Sequence, residues 1–154
     1  MPKTRQVQIL PPGDSAALRA AYLLSFADTT RDHYRQYIGT RQQFSDGRHY
    51  TGYVWECLRQ PFRITYERFC HEVVRYMEVL VFADDHSRDR VINAPLWPYP
   101  PCSVITLSPA LLLELLPALP EDIYVFDTSV SWTLVLTHEH DRKRRLCLGM
   151  GFEE

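Results

Sequence analysis

The stretch from Ile123 to Gly149 reads IYVFDTSVSWTLVLTHEHDRKRRLCLG, and its pattern decides the fold. Trp132, Leu134 and Leu136 alternate with Thr133, Val135 and Thr137, so a strand here sends the two sets to opposite faces. These residue types suit a pleated, half-buried surface. Asp127-Thr128-Ser129 is turn chemistry, because short oxygen side chains bond nearby backbone. The reading predicts a hairpin of Ile123–Asp127 and Ser131–His138, a turn over Asp141–Arg144, and a third strand over Arg145–Gly149. In that third strand Leu146 and Leu148 share one face and Cys147 takes the other.

Working outward, Glu78–Ala83 (EVLVFA) reads as a buried strand and Val104–Leu107 as another, with a short β-like segment at Val7–Leu10. Arg88–Asn93 fits either a partner strand or a loop. A helix is expected over Ala16–Ala27, capped by Asp14 or Ser15. Tyr50, Tyr53, Val54, Cys57 and Leu58 follow one helical stripe, ended by Pro61. Thr65 reads as the cap of a further helix whose stripe runs from Tyr66 through Phe69, Cys70, Val73 and Val74 to Met77. Ser108-Pro109 opens a short helix over Ala110–Leu116. The order of elements predicts an α+β fold, with a helical N-terminal half packed on a four- to five-stranded, mostly antiparallel sheet.

A length of 154 residues predicts a single domain over 1–154. The net charge of −2 gives no general attraction to nucleic acid or anionic membrane. No run approaches the ~20 apolar residues of a membrane span, and the N-terminus lacks the apolar run of a signal peptide. Cys57, Cys70, Cys102 and Cys147 form no CxxC pair, which argues against a zinc knuckle and for reduced thiols in a cytoplasmic protein. No cofactor is expected, since no phosphate-binding glycine loop occurs.

No catalytic signature stands out: there is no G-x-S-x-G elbow, and His71 beside Cys70 on a helix faces elsewhere. Three candidate sites remain. His138 and His140 project to one side of a regular strand and, with an aspartate such as Asp84 or Asp85, suit a metal-dependent hydrolase. Arg31, Arg35 and Arg41, interleaved with aromatic residues, suit phosphate or nucleic acid, although Asp32 and Asp46 dilute the charge. The third is a partner-binding surface. Asp84, Asp85, Glu139 and Asp141 lie at strand ends, and Trp97 and Tyr99 sit on the proline-rich PLWPYPPC loop, either packed into the core or displayed; displayed, they would be aromatic anchors within an acidic rim.

The run Asp122–Glu139 (DIYVFDTSVSWTLVLTHE) resembles the C-terminal strands of small bacterial domains of the kind found among immunity proteins of polymorphic toxin systems. The likeness covers roughly Ser103–Glu139 and leaves out the N-terminal half. It implies a non-catalytic protein that binds and neutralises a cognate toxin. The near-neutral charge departs from the strongly acidic character of many nuclease inhibitors. The sequence therefore favours a protein-interaction domain, with the metal hydrolase and the phosphate or nucleic-acid binder as alternatives.

Overall fold

The computed structural model of the chain describes residues 6–32, 34–35, 42–43, 49–50, 53–84, 96–141 and 144–153. In chain order the elements are β1 (Gln8–Ile9), α1 (Pro12–Phe26), β2 (Gln42–Gln43), β3 (His49–Tyr50), β4 (Phe62–Ile64), α2 (Tyr66–Val73), β5 (Val79–Ala83), β6 (Ile105–Leu107), α3 (Pro109–Leu115), β7 (Ile123–Phe126), β8 (Thr133–Asp141) and β9 (Arg144–Met150). Seven strands form one sheet in the order β1-β6-β5-β7-β8-β9-β4, with every neighbouring pair antiparallel. Strands β2 and β3 pair only with each other.

The α+β class and the β7-β8-β9 meander agree with the sequence. The helical half on four or five strands does not: the sheet has seven strands, and the described residues hold three α-helices. Both edge strands belong to the N-terminal half: β1 falls within the β-like segment read at Val7–Leu10, and β4, which was not expected, closes the opposite edge of the sheet. They are two and three residues long, too short for a period to be read.

Alternation along the strands fills two cores. Val79, Val81, Ile105, Leu107, Ile123, Val125, Trp132, Leu134, Leu136 and Cys147 pack with Phe69 and Val73 of α2 and Leu112 of α3. Leu80, Phe82, Tyr124, Phe126, Val135 and Leu148 pack with Tyr22 and Phe26 of α1 and with Val54 and Leu58. Antiparallel sheets commonly leave one face wet, so strands read as alternating. Here both faces are covered, which is why VLVFA in β5 is apolar throughout and buried at all five positions.

Local chemistry sets the helix ends. Thr65 Oγ1 accepts the Arg68 N–H at 3.0 Å and starts α2, and Ser108 Oγ does the same for Leu111 at 3.2 Å in α3. Helix α1 starts earlier than expected, at Pro12, where the missing proline N–H costs nothing. Ser15 is no cap. Its buried hydroxyl donates to Leu10 O at 3.2 Å and accepts the Val104 N–H at 3.0 Å, tying α1 to the entry of β6. The apolar stripe of α2 ends at Val73, and Met77 is 91% exposed. The chain turns instead, and Tyr76 stacks on Trp132 with centroids 3.9 Å apart.

Among the described residues, the apolar stripe Tyr50–Leu58 does not form the expected helix. Tyr50 lies in β3, and Val54–Cys57 make a single 3-10 turn. The first N–H groups of that turn are bound by side chains of the sheet and by Glu56, and Leu58 then bridges to Ala27 in extended form. No helix among the described residues is long and apolar enough to cross a membrane.

Candidate functional site

Register places the polar strand ends together. Ala83 pairs with Ile123, Ile123 with Leu136, and Leu136 with Cys147. Asp84 follows Ala83 and Asp122 precedes Ile123, so both lie just past the ends of β5 and β7, beside Thr137-His138 where β8 runs on past Leu136. Past Leu136 the β8–β9 ladder is irregular until His140 meets Arg145. Arg145 braces this segment by donating from Nε to Thr137 O at 3.0 Å and from its guanidinium to Glu121 O.

Two buried aspartates hold the Tyr53–Cys57 turn against this end. Asp122 is 2% exposed. Its Oδ1 accepts the Trp55 indole N–H at 3.0 Å and the His138 backbone N–H at 2.9 Å, and its carboxylate lies 3.0 and 3.1 Å from His138 Nδ1. Asp84 is 4% exposed. It accepts the Val54 N–H at 3.0 Å and the Tyr124 hydroxyl at 2.6 Å, while Tyr124 Oη accepts the Trp55 N–H at 2.9 Å. Burial pushes the Asp84 carboxyl up to about 7, against the lowering effect of these bonds. Burial, with the neighbouring Asp84 charge, also pushes the Tyr124 hydroxyl well above its ordinary value.

Three rings come together over this base. Tyr53 and Trp55 stack with centroids 5.5 Å apart at 28°, and His138 lies 4.7 Å from Tyr53 and 6.0 Å from Trp55. All three are half-buried, and Glu56 and Glu139 are exposed beside them in sequence. The result is an aromatic surface fixed from behind by hydrogen bonds. It also contains an imidazole whose orientation is set by a carboxylate.

The structure distributes the expected site residues unevenly. Asp84 belongs to this end but is buried as an acceptor for the turn, so it forms no exposed rim. Trp97 is 6% exposed, donates from Nε1 to Ser103 Oγ at 3.1 Å, and packs in the cluster on the opposite face of the sheet from Trp55. Tyr99 is half-buried against that same cluster, with its ring 5.1 Å from Trp97. The expected display of Trp97 on the proline loop is therefore corrected, because its indole fills the core. Glu139 is exposed. His140 and Asp141 are placed in β8, their side chains lying outside the described residues together with Asp85 and Arg41. Arg31 and Arg35 are exposed, and Arg31 donates to Glu56 O at 3.2 Å.

No group of three or more His, Cys, Asp or Glu able to hold a metal occurs among the described residues. The His140 side chain lies outside the described residues, so the expected His138 and His140 pair is described at His138 alone.

Sequence reasoning missed Asp122, Tyr53 and Trp55 as site residues. The available signal was Trp55 itself, a tryptophan lying off the apolar stripe of the supposed helix. Elsewhere, an apolar cleft of about 460 Å³ lies between α1 and residues 100–103, with Leu10, Pro12, Ala16, Leu23, Pro100 and Pro101 in its walls. The Ser15 hydroxyl in that cleft is already engaged by backbone. No protein-family model, curated protein or solved structure matches the chain.

Proposed function

We propose that the chain is a non-catalytic protein-interaction domain whose contact surface is centred on Tyr53, Trp55 and His138, with Glu139 beside them. One observation carries the reading: two half-buried aromatic rings are stacked and held from behind by Asp122, Asp84 and Tyr124. Tryptophan and tyrosine dominate binding energy at protein interfaces, and rings already fixed lose little conformational freedom on docking. The specific role of neutralising a toxin is supported by the resemblance of the segment around Ser103–Glu139 alone.

The test is capture of a partner from the source cell with tagged wild-type protein, Trp55→Ala and Leu24→Ala. Leu24 is 76% exposed on α1 and serves as a surface control. A stoichiometric partner held by wild type and Leu24→Ala, and weakened at least about tenfold by Trp55→Ala, is the expected result. Equal retention by Trp55→Ala would remove this face from the interaction.

One observation favours a second reading, the metal site at His138 and His140. A carboxylate bonded to one imidazole nitrogen is the usual support of a metal-bound histidine, and Asp122 stands in that relation to His138 Nδ1. Elemental analysis of protein purified without added metal separates the two readings. A stoichiometric ion lost on His138→Ala would favour the metal site, and metal-free protein that still binds its partner would favour the interaction surface.

A further inference from the structure

We infer that the apolar cleft along α1 is a binding site for a free, single-chain carboxylic acid of the fatty-acid class, with its chain against the apolar walls and its carboxylate at Arg19. Helix periodicity gives the cleft its shape. Pro12, Ala16, Arg19, Ala20 and Leu23 recur at three- and four-residue spacing, so one face of α1 forms a wall. At a rise of about 1.5 Å per residue this wall is about 16 Å long, which suits an extended chain better than a compact ring. Ala16 and Ala20 are exposed and end at Cβ, which leaves the space beside the helix open. Ile9 of the edge strand β1 lines the cleft with Pro100 and Pro101, and it is 48% exposed, so apolar surface stands in water. The volume of about 460 Å³ lies within the ~300–1,000 Å³ of small-ligand sites, which are mostly apolar with a few polar groups that fix orientation.

Charge selects the head group. Arg19 is the one charged residue in the described lining. Its guanidinium is held in place: Nη1 donates to Ala83 O at 3.2 Å, and the group lies 4.6 Å over the Phe82 ring. Ala83 ends β5 two residues past Val81, and Val81 pairs with Ile105, two residues after the cleft residue Ser103. The anchored guanidinium therefore stands beside the part of the cleft that Ser103 lines. A guanidinium is a planar fork with a single positive charge, a match for one carboxylate rather than for a multiply charged phosphate. An apolar trough with one fixed cation at its side thus fits a monoanion with a long apolar body. None of Tyr53, Trp55 and His138 lines the cleft, so the site is additional to the interaction surface.

Isothermal titration of the full chain tests the site, with octanoate and decanoate as probes below their critical micelle concentrations. Octanoate should bind saturably, and decanoate about fifteenfold tighter, since each buried methylene is worth about fourfold. The neutral alcohol octanol should bind at least about tenfold more weakly than octanoate, because it lacks the charge-assisted bond. Arg19→Gln should erase that preference, and Arg19→Lys, which keeps the charge without the fork, should retain part of it. Ala20→Phe fills the cleft from an exposed helix position and should abolish binding of both acids while circular dichroism stays that of the wild type. Absence of saturable decanoate binding overturns the site. So does octanol binding as tight as that of octanoate in the wild type, or undiminished binding by Ala20→Phe. The wild-type comparison of octanoate with octanol decides the head group even if Arg19→Gln does not fold. Failure here would leave Trp55-dependent partner capture intact, and failure of that capture would leave octanoate binding intact.

Discussion

Asp122 receives three hydrogen bonds on a carboxylate that is nearly closed to solvent: the Trp55 indole, the His138 backbone and the His138 ring. Deleting it leaves three donors short of an acceptor, and a buried unsatisfied donor costs roughly 1–3 kcal/mol. Both ring donors belong to half-exposed side chains that can turn to water, so the sum falls well below the maximum. Asp122→Ala should lower stability by about 3 kcal/mol, and Asp122→Asn, which keeps one acceptor oxygen, by less. Urea denaturation with unchanged m-value checks the pair. A loss under about 1 kcal/mol for Asp122→Ala would show that the carboxylate does not hold the turn. The sequence hid this residue for a physical reason. An aspartate just before a strand looks like ordinary turn chemistry, and its donors arrive from positions 67 and 16 residues away. His138 and Asp84 were legible as polar strand ends. Their joining through Asp122 depended on strand register, which no local pattern carries.

Elements whose boundaries depend on neighbouring residues were legible, and elements defined by distant partners were not. Thr65 and Ser108 announce α2 and α3 because capping is a contact across three residues. Both helices are short, eight and seven residues, so each cap is a large fraction of what fixes its helix. Thr65→Ala and Ser108→Ala should each cost about 1 kcal/mol, and Thr65→Ser or Ser108→Thr much less. Thermal or urea melts of the four variants measure this; a neutral alanine at either site would assign helix initiation to packing alone. Segment 50–58 shows the opposite case. Its apolar spacing fits a helix, yet Asp84 and Tyr124 take the N–H groups that open the turn, and Leu58 is drawn into a bridge with Ala27. The stripe correctly marked Val54, Cys57 and Leu58 as buried residues. Burial alone does not distinguish a helix from a clamped turn.

At the scale of the molecule, the sheet is a shared wall. Residues that alternate along β7 and β8 belong to different cores, with Ile123 and Leu134 on the α2–α3 side and Tyr124 and Val135 on the α1 side. A strand that melts must expose both faces at once, so the two cores should unfold together. Ile123→Val removes one methylene from the first core, and Tyr22→Phe removes from the second a hydroxyl paired with Thr133 at 2.8 Å. Each change should cost about 1 kcal/mol. The tryptophans report the faces separately: the indoles of Trp97 and Trp132 lie in the first core, and Trp55 packs against the second. Followed by NMR through a urea titration, all three indole signals should share one midpoint. Either substitution should shift all three equally, and the double variant should show the sum of the single losses. If Ile123→Val moved only the Trp97 and Trp132 midpoints, the two faces would be independent folding units. The aromatic surface at Trp55 could then loosen without disturbing the rest. A common shift would mean that the turn, the sheet and both helical layers stand or fall together, so that any loosening of the Tyr53–Cys57 turn short of unfolding has to come from its own contacts, with Asp84 foremost among them.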